Sequence, residues 1–159
     1  IRAGNPVSQV LALKTFDDGS GEALYIGGRF NSSADGLTSL PAVARWDGVS
    51  LTAVGAGVPI TGEIRGVQVF DDGGGEALYA SGVFTTDSIG TPIRRLAKLV
   101  GSTWVEVAGG TGGNPGRMAA LPDGTLAVSG SFSEVGAVGT VTGSGPASGL
   151  ATLVCVASP

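Results

Sequence analysis

One stretch of this chain occurs twice and survives in part a third time. Phe16-Asp17-Asp18-Gly19-Ser20-Gly21-Glu22-Ala23-Leu24-Tyr25-Ile26-Gly27-Gly28-Arg29-Phe30 returns as Phe70-Asp71-Asp72-Gly73-Gly74-Gly75-Glu76-Ala77-Leu78-Tyr79-Ala80-Ser81-Gly82-Val83-Phe84. A shortened copy reads Leu121-Pro122-Asp123-Gly124-Thr125-Leu126-Ala127-Val128-Ser129-Gly130-Ser131-Phe132. Gly28 and Gly82 stand 54 residues apart, Gly82 and Gly130 only 48, because the long acidic turn has shrunk to Pro122-Asp123-Gly124. A unit repeating at about 50 residues cannot bury its faces alone and must stack on its neighbours.

The pattern within each unit is that of short strands. Residues 10–16 form a largely apolar run, as in a strand covered on both faces. The Asp-Gly-Ser-Gly cluster after it supplies a hairpin turn tolerant of positive φ. Residues 23–30 give a second strand, whose Gly27-Gly28 pair predicts a bulge or a close approach by another backbone. Residues 42–46 and 51–54, joined by Asp47-Gly48, complete the unit. The second unit places strands at 64–70, 77–84, 96–99 and 104–107, with Trp104 standing where the first has Leu51. The third has strands at 117–121, 125–132 and 150–154 and lacks a fourth. Residues 1–6 match 54–59, which reads as the tail of a preceding unit, and Ile1 reads as a processed or truncated start. The resulting division is 1–6, 7–59, 60–112 and 113–159.

Composition narrows the chemistry. Glycine makes up 29 of the 159 residues without a collagen-like period, and its place between strands favours an all-β fold. The net charge is −4, and the basic residues are dispersed, with only Arg94, Arg95 and Lys98 close together. No basic stripe marks a nucleic-acid surface, and no apolar run spans a membrane. There is no histidine, which removes the commonest general base and transition-metal ligand. With one cysteine, Cys155, no internal disulfide forms; its apolar neighbours favour a buried thiol, and a partner outside the sequence is the alternative.

The turn carboxylates Asp17, Asp18, Glu22, Asp71, Asp72 and Glu76 are candidate Ca²⁺ ligands, since that ion takes several flexible oxygen donors. Their spacing matches no established calcium loop, and the preferred interpretation is a hairpin bend stabilised by Asp. No other cofactor is implied. Trp46, Trp104, Tyr25 and Tyr79 could stack on sugars, but their recurrence at equivalent strand positions favours packing between units. The loops 31–40, 85–95 and 133–149 should emerge on one face and carry any ligand, with Asn31, Asp35, Asp87, Arg94, Arg95 and Ser144 as the candidate contacts.

The strand ending in Gly-Gly (Leu24-Tyr25-Ile26-Gly27-Gly28), the polar loop, and a tryptophan in the last strand (Trp104) resemble the kelch repeat of β-propellers. Together with Ala44-Arg45-Trp46-Asp47-Gly48, the fuller pattern is similar to tandem repeats of large secreted bacterial proteins. The resemblance implies four-stranded antiparallel blades and an extracellular or cell-surface location. The copper chemistry of one propeller branch needs histidines that this chain does not have. Three blades, the last incomplete, are fewer than the roughly four to eight that close a ring. The chain is therefore expected to belong to a larger propeller or to self-associate, as a non-catalytic structural or adhesive module. The alternative is a propeller that binds a glycan or protein on its loop face.

Overall fold

The computed structural model describes residues 9–55, 62–85, 90, 92–107, 109–132, 134–135 and 149–154. The segment 1–6, Asp87, Ser144, Cys155 and most of the 133–149 loop lie outside the described residues. The described chain holds eleven strands and no helix. β1 (Gln9–Asp17), β2 (Glu22–Arg29), β3 (Val43–Trp46) and β4 (Leu51–Ala53) form an antiparallel meander in that order. β5 (Glu63–Asp71), β6 (Glu76–Val83), β7 (Leu96–Val100) and β8 (Thr103–Glu106) form a second. β9 (Asn114–Ala120), β10 (Thr125–Ser131) and β11 (Leu150–Val154) form a three-stranded third. None of the sheets closes on itself.

Period-two alternation gives each sheet two different faces. On the first sheet, Phe16, Ala23, Tyr25 and Val43 share one face, while Leu13, Leu24, Ile26, Ala44, Trp46 and Leu51 share the other. The aromatic face of the first sheet packs on the aliphatic face of the second, where Val67, Leu78, Ala80, Ala97 and Trp104 are buried. The second interface repeats this arrangement: Phe70 and Tyr79 of the second sheet meet Leu126, Val128 and Ala151 of the third. The first strand of each sheet leads the stack, with β1 against β5 and β5 against β9.

The Trp/Leu exchange seen in the sequence is a cross-strand swap. Trp46 on β3 opposes Leu51 on β4, and Leu99 on β7 opposes Trp104 on β8. The pair fills the same patch in both sheets, so total volume is kept. Trp104 is 2% exposed between two sheets, whereas Trp46 is 38% exposed on the outward face of the first. Burial of a side chain of this size stabilises by roughly 1.5–3 kcal/mol.

Both expectations for the glycine pair are met, by different residues. The bulge lies on the partner strand: Val10 opposes Gly28 and Ala12 opposes Gly27, leaving Leu11 extra. A Cβ on Gly28 would collide with the Gln9 carbonyl, and one on Gly27 would come within 2.7 Å of Ile64 and Val67 in the next sheet. At the matching site, Ser81 instead meets a backbone, and its hydroxyl donates to the Gly116 carbonyl at 2.7 Å. Gly27 is thus small because its neighbour is large. Gly27→Ser, which copies the second unit, should overpack this contact and cost about 1–3 kcal/mol in urea unfolding.

Candidate functional site

The repeated turns are wired identically. Asp17 Oδ1 accepts from the amides of Gly19 (2.8 Å) and Gly21 (2.9 Å), and Asp71 Oδ1 accepts from Gly73 (2.8 Å) and Gly75 (2.9 Å). Glycine is required here because these positions have φ between 92° and 105°. Asp18 and Asp72 turn back over the hairpin. Asp18 Oδ2 accepts from the Tyr25 hydroxyl at 2.7 Å, and Asp72 Oδ2 from the Tyr79 hydroxyl at 2.8 Å. A cation from the third strand joins each pair: Lys98 donates to Asp72 at 2.6 Å, and Arg45 lies 3.8 Å from Asp18.

Each tyrosine is 1% exposed, so its hydroxyl would be costly to leave unpaired. The turn aspartate supplies the acceptor, and its own hydrogen bonds, aided by the cation and led by it at Asp72, favour the charged carboxylate. The Ser20 and Tyr25 hydrogen bonds bring the Asp18 pKa down to about 2, while burial and then the Asp18 bond push Tyr25 up to about 12. Burial pushes the Asp72 pKa up, but the Lys98 and Tyr79 hydrogen bonds outweigh it and hold the group below its ordinary value. In the third unit, Ala127 and Thr152 occupy the places of Tyr79 and Lys98, and Asp123 accepts only from Thr125. The tyrosine and the cation are thus lost together, and the remaining turn aspartate serves only its own bend.

Four of the six candidate Ca²⁺ ligands, Asp17, Asp18, Asp71 and Asp72, are therefore engaged with donors of their own hairpins. Glu22 and Glu76 open β2 and β6 directly opposite Asp17 and Asp71 and are exposed. Asp17, Asp18 and Glu76 also border a cavity of about 290 Å³ between the first two sheets. Among the described residues, no group of three or more His, Cys, Asp or Glu side chains is placed to hold a metal ion.

The candidate loop contacts separate. Asp35 closes a local bend by accepting from Ser33 and from the Leu37 amide (3.0 Å), and the Asn31 carbonyl accepts from Leu40 (2.9 Å). Arg94 and Arg95 join the second sheet to the entry of the third. The Arg94 carbonyl accepts from the Thr111 amide at 2.9 Å, and Arg95 donates to the Thr111 carbonyl at 3.3 Å. Of the aromatics weighed as sugar platforms, Tyr25, Tyr79 and Trp104 lie between sheets, and Trp46 lies on an open face.

Linear spacing concealed a different grouping. Lys14 of β1, Arg65 and Gln68 of β5, and Arg117 of β9 line one cavity of about 260 Å³ along the row of first strands. The residues are 103 positions apart at the extremes, so only sheet stacking joins them. The repeat gave little signal, because the cations occupy different positions in it: Lys14 stands where the second unit has Gln68, and Arg117 where it has Gly66.

No protein family, no curated protein and no solved structure matches this chain. No described helix is long and apolar enough to cross a membrane.

The lowered pKa of Asp18 has a direct consequence. Its contribution to stability is complete above its ordinary value of 3.8 and is lost as the pH falls through about 2. Urea midpoints measured between pH 5 and 2 should fall less steeply for Asp18→Asn than for the native chain.

Proposed function

We propose that the chain is a non-catalytic structural or adhesive module of kelch-like propeller type, extracellular in setting, whose blade-like sheets assemble by adding another sheet of the same kind. The observation that carries this is the directional stacking. Twice, an aromatic face rests on the aliphatic face of the following sheet. Among the described residues, the aliphatic face of the first sheet is the same surface without that partner. Its Phe30 end is covered by Leu40, but Leu13 is 58% exposed and Trp46 38% exposed. The corresponding residues of the second sheet, Val67 and Leu99, are packed between sheets. Contiguous apolar area of this kind marks an association surface.

The opposite end of the stack offers Leu121 and Leu150, which are 37% and 60% exposed, beside Ala127 and Ser129. The two ends differ, so association between copies is head-to-tail and leads either to a ring or to a filament. The absence of histidine and the use of the turn carboxylates in hairpin wiring support a structural role over a catalytic one.

Sedimentation over a range of concentrations tests the proposal. The native chain should exceed its 15.5 kDa monomer mass as concentration rises. Leu13→Glu, on the open face, should return it to the monomer. A native chain that stays monomeric at every concentration would contradict self-association.

A further inference from the structure

The geometry points to a binding site for a small carboxylate ligand in the cavity along β1, β5 and β9. Lys14, Arg65, Gln68 and Arg117 contribute the polar side chains, and no carboxylate of the described residues lines the space. The chain carries a net charge of −4, so a cavity lined by cations and free of acids runs against its overall composition.

The state of each side chain favours an acceptor-only ligand. The Gln68 side-chain oxygen accepts from the Val69 amide at 3.0 Å, which leaves the Gln68 NH₂ group as its remaining donor. Arg65 is held from behind: its Nε donates to Glu63 at 2.6 Å, and Arg29 also binds Glu63. The terminal nitrogens of Arg65 remain to donate, with the guanidinium plane already fixed. Lys14 and Arg117 have no ion pair with any described residue. The site thus offers ammonium, guanidinium and amide donors, and its one side-chain acceptor, the Gln68 oxygen, is already bound to the Val69 amide. That is the complement of a carboxylate, which accepts through both oxygens and matches the guanidinium fork.

Size and the remaining walls limit the rest of the ligand. A volume of about 260 Å³ lies just below the usual range for ligand pockets, roughly 300–1,000 Å³, and suits a molecule no larger than one sugar residue. Ala12, Gly66 and Met118 give the cavity an uncharged wall for the body of such a molecule. A uronic acid has this form, free or as one residue of an acidic glycan. The donors come from three sheets of one chain, while Leu13, which also borders the cavity, belongs to the outward face of the first sheet.

Titration of the full chain, followed by amide and side-chain NMR, tests the assignment with D-glucuronate, trigalacturonate and D-glucose as probes. Saturable shifts at Gln68 and the arginine signals are expected with glucuronate and not with glucose, and they should weaken as salt rises. Trigalacturonate binding more tightly would identify a glycan as the source of the carboxylate; equal or weaker binding would identify the free acid. Lys14→Gln and Arg117→Gln should each reduce affinity about tenfold or more, consistent with loss of a charge-assisted hydrogen bond. Arg117→Lys, which keeps the charge without the fork, should fall between them and the native chain. Absence of saturable binding by either acid, equal binding of glucose, or binding unchanged in folded Lys14→Gln and Arg117→Gln chains would overturn the proposal.

Discussion

Everything in this molecule depends on one contact, an aromatic strand face seated on an aliphatic one. Phe16 and Tyr25 lie with ring centroids 5.9 Å apart on the first sheet, and Phe70 and Tyr79 lie 5.6 Å apart on the second. Each pair presents a broad apolar surface to the sheet that follows. A single meander with apolar side chains on both faces cannot bury both by itself, and stacking supplies the missing cover. Because the two faces differ, the stacking has a direction. That direction distinguishes the two ends of the stack and, among the described residues, leaves the aliphatic surface of the first sheet without a sheet upon it.

The aromatic face brings a polar group with it. A tyrosine placed between sheets needs an acceptor for its hydroxyl, and the hairpin turn provides one at the edge where water still reaches. This accounts for the second aspartate of the turn, for the long glycine-rich loop that lets it fold back, and for the cation on the adjacent strand. The third unit has no tyrosine at this position and has a short turn. Its outward face is accordingly smaller in side-chain volume, with Ala127 and Ser129 in the places of Tyr79 and Ser81. Hairpin and interface are therefore parts of one device.

Much of the architecture was legible in the repeat. Every anticipated strand is present within a few residues of its expected limits, because alternation, Asp-Gly turns and self-similarity all agreed. Less visible was the backbone before the third strand of each unit. Ala42, Arg95 and Gly149 all have positive φ, at 57°, 68° and 97°, and their carbonyls accept from Gly28, Gly82 and Gly130. Only the glycine announces such a conformation; at Ala42 and Arg95 the surrounding hydrogen bonds impose it. The candidate site was harder still. Lys14, Arg65 and Arg117 look dispersed in a line of text, and the bulge that shifts β5 relative to β6 changes which residues reach the inner strand row. The turn carboxylates were easier, because Asp beside Gly already favours a hairpin bend, and Asp17, Asp18, Asp71 and Asp72 accept from donors of their own hairpins.

The open aliphatic face can be observed directly through its tryptophan. In protein labelled with 5-fluorotryptophan, Trp46 and Trp104 give separate ¹⁹F signals, one from the outward face of the first sheet and one from the interface behind it. As protein concentration rises, the Trp46 signal should move toward a buried environment and lose its sensitivity to solvent, while the Trp104 signal stays fixed. A Trp46 signal that remains solvent-sensitive and unshifted at all concentrations would contradict the assignment of this face as the place where another sheet adds.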